Sequence, residues 1–513
     1  MSEINKIDSN ITGLHIAEEE PGCLKVLPGS PVWYEQEPNS YSDFGGEITN
    51  VARNPIDPSR QRKKGTVTDL DASGGFNSDF TQSNMQRLLQ GFFFADAREK
   101  PSTAPFNGTA VAITNVDGTS EEYDAASDLD VFSPGELVFA SGFTVAANNG
   151  LKRVTGAVST ALSVAESLEN ETPSANAKIE ACGFQFAADD IDLVKAVDSI
   201  TLTSTVADFT TLNLNVGEWI FIGGDGASTQ FANIENGPGY GRIKSISTNA
   251  LVLDETTFDG SNETSSGSIT LQIFFGKVIR NEKTPSLIKR RSYNIERQLG
   301  EDANGVQSEY LEGAIPNELT LNVPQADKLN ADLGFIAMDN TQRDGLTGIK
   351  SGARVGSPDE EAFNTSSDVY RIKLSIVDPN TLNPTNLFGF VSETTISISN
   401  NVTPTKAIGV LGAFDATAGD FTVSGSINAF FSDVAAVSAV RNNSDVALST
   451  IFARDNAGFV FDMPLISLGG GRVSVEKDNP IEIPVETNAA EGPNGYTLLS
   501  CFMPYLPDAA MPA

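Results

Sequence analysis

Phe421–Phe430 reads FTVSGSINAF. Phe421, Val423, Ile427 and Ala429 alternate with Thr422, Ser424, Ser426 and Asn428, the period-two signature of a strand with one face buried and the other wet. The wet face is built from hydroxyls and one amide. Outward from this stretch the same pattern recurs: short alternating runs bounded by Gly, Asn, Asp and Pro, with little at helical spacing. The chain therefore reads as mainly β. Two short helix-like stretches, MQRLLQ from Met85 and DVAAVSAV from Asp433, each follow an alternating strand.

A weak repeat relates the two ends of the chain. ITNVARNPIDPSRQ at Ile48–Gln61 lies over ISISNNVTPTKA at Ile396–Ala407, matching Asn54 with Asn400, Pro58 with Pro404 and Arg60 with Lys406. An alternating strand follows each. The polar face of the first is Asn77, Asp79, Thr81 and Ser83, matched by Thr422, Ser424, Ser426 and Asn428 in the second. Turns at Asp302–Gly305 and Asp455–Gly458 then precede a further strand in each copy. A duplicated half-barrel is the simplest account.

A stronger repeat fills the middle. PGELVFASG around Gly135, followed by NNGLKRVTGAVSTALSV, matches VGEWIFIGG around Gly217, followed by GPGYGRIKSISTNALVL. Two small tandem β modules are expected over 107–195 and 196–284, inserted into a loop of the first copy, where extra length costs little closure entropy. This segment holds nine Lys plus Arg against 24 Asp plus Glu, or −15. It reads as a solvated outer insertion whose modules own their cores.

At 513 residues the chain is long enough for three to four compact units at roughly 150 residues each. Lys plus Arg total 34 against 67 Asp plus Glu, a formal charge of −33, which argues against gripping nucleic acid through displaced counterions. With 40% apolar residues and 30 Phe it is too hydrophobic for a disordered acidic chain. His15 is the only histidine, which removes Ser-His-Asp and Cys-His nucleophile systems together. Cys23, Cys182 and Cys501 form no CxxC and read as free thiols of a reducing cytoplasm. No run approaches the apolar length of a membrane span, and the opening MSEINKIDSN lacks a cationic patch followed by an apolar core.

Nothing here forms a catalytic, metal or cofactor constellation. Asp69, Asp71, Ser73 and Gly74 imitate the start of a calcium loop, but position 12 is Phe80 rather than a bidentate Glu, so a polar turn is expected. Gly469, Gly470 and Gly471 lack a following Lys-Ser/Thr and read as a hairpin loop. Carboxylate pairs for glycoside cleavage cannot be chosen among 67 acids. Two basic clusters, Arg60, Arg62, Lys63 and Lys64, and Lys289, Arg290 and Arg291, are either solvated faces or contacts to acidic surface on a neighbouring copy.

Val32–Gly91, with SYSDFGGEITNVARNPIDPSRQRKKGTVTDLDASGGFNSDF at its centre, resembles the opening of the tail tube proteins of long, non-contractile-tailed bacteriophages. SYNIERQLGEDANGVQSEYLEGAIPNELTLNV at Ser292–Val323 and RDNAGFVFDMPLI from Arg454 resemble the same family. The resemblance implies a duplicated tube-type β-barrel or sandwich with short flanking helices. The segments would be an N-terminal arm (1–30), a first barrel (31–106 and 285–338) interrupted by the two modules, a mobile assembly loop (339–368) and a second barrel (369–513). It implies a structural virion protein, not an enzyme and without cofactors, made in the host cytoplasm and located in the tail. Six barrels would form each ring, so three chains suffice if both copies are barrels; six chains per ring is the alternative. Stacked rings would form the conduit for DNA, with tape-measure, terminator and distal tail proteins as partners. The polar faces named above would approach the lumen. Arg60, Arg62, Lys63, Lys64, Arg343, Lys350 and Arg354 would contact neighbouring subunits. A decoration protein or a carbohydrate-binding adhesin is the competing reading.

Overall fold

The computed structural model describes residues 12–56, 58–302, 305–378, 380–431, 434–475 and 477–512. Strands account for 48% and helices for 7%. Two compact units interleave along the chain: Met1–Ala95, Thr284–Ala362 and Glu393–Ile427 form the first, and Asp96–Lys283, Phe363–Ser392 and Asn428–Ala513 the second. The stretch 369–513 thus contributes to both.

The first unit is organised around the 19-residue strand Gly305–Val323. Its first half lies between Tyr293–Asp302 and Asp339–Arg343, and its second half between Asn330–Ala337 and Val391–Ser399. Gly313, at φ +64°, marks the bend between the halves, where an added Cβ would meet Met338 Cγ at 2.7 Å. Gly65–Asp79 pairs with Asn330–Ala337 on one side and Pro38–Ala52 on the other. Gly13–Glu18 pairs with Tyr293–Asp302 and Val32–Gln36.

Two stretches expected to lack strands carry them. In the N-terminal arm, Leu14 and Ile16 are buried on the strand Gly13–Glu18, while residues 1–11 lie outside the described residues. In 339–368, Asp339–Arg343 is paired along its length and Ala353–Val355 runs parallel to Val32–Gln36. The first was hidden by the polar residues around it although Leu14 and Ile16 alternate within it, and Asp339–Arg343, DNTQR, has no apolar side chain to signal it.

In the second unit, Val369–Ile376, Val446–Arg454 and Ala457–Gly470 pair in that order, and Ala457–Gly470 also pairs with Glu482–Ala489 and Leu499–Met503. Asp455 and Asn456, at φ +48° and +58°, make the two-residue hairpin turn whose left-handed backbone matches strand twist. Residues 303–304, where the sequence reading places the corresponding turn, lie outside the described residues.

Chain order and pairing repeat. Gly13–Glu18, Pro38–Ala52, Gly65–Asp79, the helix Gln86–Phe93, Tyr293–Asp302, Gly305–Val323, Asn330–Ala337 and Asp339–Arg343 correspond to Val369–Ile376, Val391–Ser399, Thr422–Phe430, the helix Ala435–Arg441, Val446–Arg454, Ala457–Gly470, Glu482–Ala489 and Leu499–Met503. In each copy the first strand pairs with the fourth, and the fifth strand with the fourth, sixth and seventh. A bulge falls at the same place, Tyr293/Ile295 and Val446/Leu448. The register differs from the sequence match, however. Asn428 donates to Glu482 as Asn77 donates to Asn330, so Asn77 corresponds to Asn428 rather than to Thr422. An even shift keeps every side chain on its face, so period two alone does not reveal it.

The insertion is a twelve-stranded sheet with its own duplication. Ile113–Asp117, Glu122–Ala125, Ala161–Val164, Gly150–Val158, Glu136–Ser141 and Lys178–Gln185 lie in that spatial order, and Asp192–Lys195, Ile200–Thr203, Ala250–Thr256, Gly239–Ser247, Trp219–Ile222 and Gln272–Phe274 repeat it. The sets join through their last strands. Gly135 and Gly217, at φ +93° and +89°, supply the turn in each. Each set has a core of its own, around Tyr123 and Val154 in one and around Ile220 and Leu253 in the other. A third core is shared: Leu137, Trp219, Phe221, Tyr240 and Phe274 pack with Ile451, Val460, Leu499, Cys501 and Leu506. The modules are therefore not independent of the strands that follow them.

Candidate functional site: a polar sheet face and an anchored loop

In the first unit six adjacent strands present one continuous polar face. Asn39 Nδ2 donates to Asn77 Oδ1 at 3.0 Å and Asp79 Oδ1 at 2.5 Å, and Asn77 Nδ2 donates to Asn330 Oδ1 at 2.9 Å and Asp332 Oδ1 at 2.8 Å. Asn322 Nδ2 reaches the same pair from the next strand, at 3.0 and 2.8 Å. Thr320 and Ser397 hydroxyls lie 3.0 Å apart, Thr395 and Ser426 hydroxyls 2.9 Å apart, and Thr422 Oγ1 donates to Ser399 O at 3.3 Å. Ser424 lies between Thr422 and Ser426 on the same side. The reverse side is apolar: Phe76, Leu333, Phe335, Leu319, Leu321, Ile396, Ile398, Val423 and Ile427 are buried.

The face carries hydroxyls, amides and carboxylates. A lysine enters at its margin, where Lys328 Nζ lies 2.5 Å from Asp79 Oδ2. Such a surface is wet and offers phosphate no array of cations.

Of the eight polar-face residues read from the sequence, Asn77, Asp79, Thr422, Ser424 and Ser426 lie on this face, and Asn428 continues the strand in the second unit. Thr81 and Ser83 do not, because the strand ends at Asp79. Thr81 Oγ1 donates to Glu360 Oε2 at 2.8 Å, and Ser83 donates from its N at 2.9 Å and its Oγ at 2.7 Å to the same carboxylate. Asn322, Asn330, Asp332 and Ser397 were missed, although LTLNV (319–323), LNADLGF (329–335) and TTISIS (394–399) carry the alternation that finds them.

The basic residues divide in the same way. Arg60, Arg62, Lys63 and Lys64 are exposed in the segment joining Pro38–Ala52 to Gly65–Asp79. Arg343 is exposed, its guanidinium 5.7 Å from the Tyr310 ring centroid. Lys350 and Arg354, expected to reach a neighbour, are engaged within the chain. Lys350 Nζ lies 2.7 Å from Glu312 Oε1, and Arg354 Nη1 lies 2.9 Å from fully buried Glu296. Tyr310 Oη is 2.5 Å from Glu296 Oε2 and 2.7 Å from Gly348 O, and it accepts from Lys350 N at 2.9 Å. His15 Nδ1 is 3.9 Å from Glu296, and burial, with Arg354 nearby, holds its pKa below the usual histidine value against the raising effect of Glu296. Burying Glu296 requires a compensating cation, which is why Arg354 turns inward, while Lys350 is held by Glu312.

The second basic cluster is also engaged: Arg290 reaches Asp415 at 3.2 Å, and Arg291 pairs with Glu18 at 3.0 Å. Asp69 and Asp71 sit on a strand, not in a turn, and share Lys406 Nζ at 2.6 and 2.5 Å. Gly469 and Gly470 end the strand Ala457–Gly470, and Gly471 opens its connection to the antiparallel strand Glu482–Ala489. Cys182 and Cys501 are buried, which pushes both thiols up, and Cys23 is exposed.

A family described as phage tail tube protein matches residues 9–489. The chain belongs to the phage tail tube protein family. No curated protein matches it. As a tail tube protein it is a structural component of the virion tail that assembles with itself into a tube. No helix among the described residues is long and apolar enough to cross a membrane.

Proposed function

We propose that this tail tube protein assembles as rings of three chains, each supplying two copies of the barrel strands, and that stacked rings form the conduit through which genomic DNA leaves. Tape-measure, terminator and distal tail proteins would bound the tube. The observation that carries the reading is the polar face running across six strands from Asn39 to Ser424, backed by an unbroken apolar layer. Turned inward, it gives DNA a hydrated, neutral-to-acidic wall along which phosphate moves without being held. Thr320→Lys with Ser424→Lys tests this. Tubes should still form, since both positions are on the wet side, and genome release from such virions should slow several-fold. Release at the normal rate contradicts the assignment of this face to the lumen.

A further inference from the structure

Within one chain, the sheets of the two copies are joined, among the described residues, by one strand pair. Glu318–Val323 of the first copy lies antiparallel to Thr394–Ser399 of the second. The repeat predicts a second pairing of the same kind, between the equivalents of these strands. Asn322↔Asn330 corresponds to the bridge Ser474↔Glu482, and the bulge at Ala314 corresponds to that at Ile466, so Glu318–Val323 maps onto Gly470–Val475. Asn77 maps onto Asn428, and Asn77 is opposite Ser40, which places the equivalent of Thr394–Ser399 at Tyr41–Glu47, with one extra residue at the bulge after Ser42.

Both equivalents are edges. Pro38–Ala52 has one paired strand among the described residues, Gly65–Asp79. On the other segment, Gly471 N donates to Pro484 O and Ser474 N to Glu482 O, which fills one side. Its opposite side has no backbone partner among the described residues. The side chains carry the same contrast. Leu321 and Val323 are 1% and 4% exposed beneath their partner strand, whereas Val475, the counterpart of Val323, is 73% exposed. Arg472 would stand opposite Gly45 and diagonal to Glu47, and neither charge has an ion pair among the described residues.

Building on the reading of the chain as a ring-forming subunit, we propose that Gly470–Val475 of one chain pairs antiparallel with Tyr41–Glu47 of the next. This repeats between chains the junction that Glu318–Val323 makes with Thr394–Ser399 inside each. The occupant is a second copy of this chain, since only it carries the matching strand. The contact is heterologous, as a closed ring requires. It also covers two edges that are otherwise open to uncontrolled pairing.

Ser42 and Ser474 fall opposite each other in this register. In a Cys23→Ser background, Ser42→Cys with Ser474→Cys should give assembled tubes that, on oxidation, run as covalent dimers and closed trimers, while either cysteine alone gives monomers. Arg472→Glu should lower polymerisation at least tenfold, and adding Glu47→Arg should restore it. Tubes of the double-cysteine chain without an interchain disulfide overturn the pairing while leaving the ring intact. Failure of the unaltered chain to form any ring overturns the reading beneath it.

Discussion

Tyr310 shows how one side chain fixes a segment that composition describes as loose. Its ring packs edge-on against Trp33, with centroids 6.2 Å apart, and its hydroxyl joins Glu296, Gly348 and Lys350. Burial and Glu296 push the phenol's pKa well up, so it stays protonated as a donor. Tyr310→Phe should leave the Glu296 carboxylate short of a donor and cost about 1–3 kcal/mol. It should also speed hydrogen exchange at Gly348 and Lys350 in the free subunit. Unchanged exchange there would show that Lys350 and Arg354 hold the segment alone. None of this was legible in SYNIERQLG. Asn294 and Glu296 are buried along with Tyr293 and Ile295, so the strand is covered on both faces and alternation says nothing about which polar residues are inside.

Among elements, the repeats were the most readable part of the sequence, and what covers each repeat was the least. The tandem modules were visible because the turn glycines and Ala-Leu strand starts recur, and their strand orders coincide. The core they share with Val446–Arg454, Ala457–Gly470 and Leu499–Met503 was not visible, because a buried strand face has the same pattern whichever element lies on it. Arg242 and Lys373 extend the tie. Arg242 lies 3.2 Å from buried Asp462, and Glu255 takes Lys373 at 3.0 Å and also pairs with Arg371. Deleting residues 107–284 should therefore expose Val460, Leu499 and Cys501 and yield insoluble protein. The milder Trp219→Ala should cost about 3–5 kcal/mol in denaturant unfolding of the whole chain. A soluble deletion variant with native β-type circular dichroism would mean that these strands need no cover from the modules.

For the whole molecule, a charge of −33 per chain makes assembly work against repulsion, and a ring of three carries −99 before counterions. The duplicated strand order offsets this by giving each chain an internal copy-to-copy junction that a ring need only repeat. The sequence made the duplication detectable but misplaced its register by six residues along Gly65–Asp79 and Thr422–Phe430, since even slips preserve the polar face. Electron microscopy of tubes assembled from the purified chain tests the account most directly. The account predicts stacked rings of three chains, each ring showing six barrel lobes, with Asn77, Thr320 and Ser424 facing the lumen. Rings of six chains, or a wall with that face turned to the outside, would contradict it.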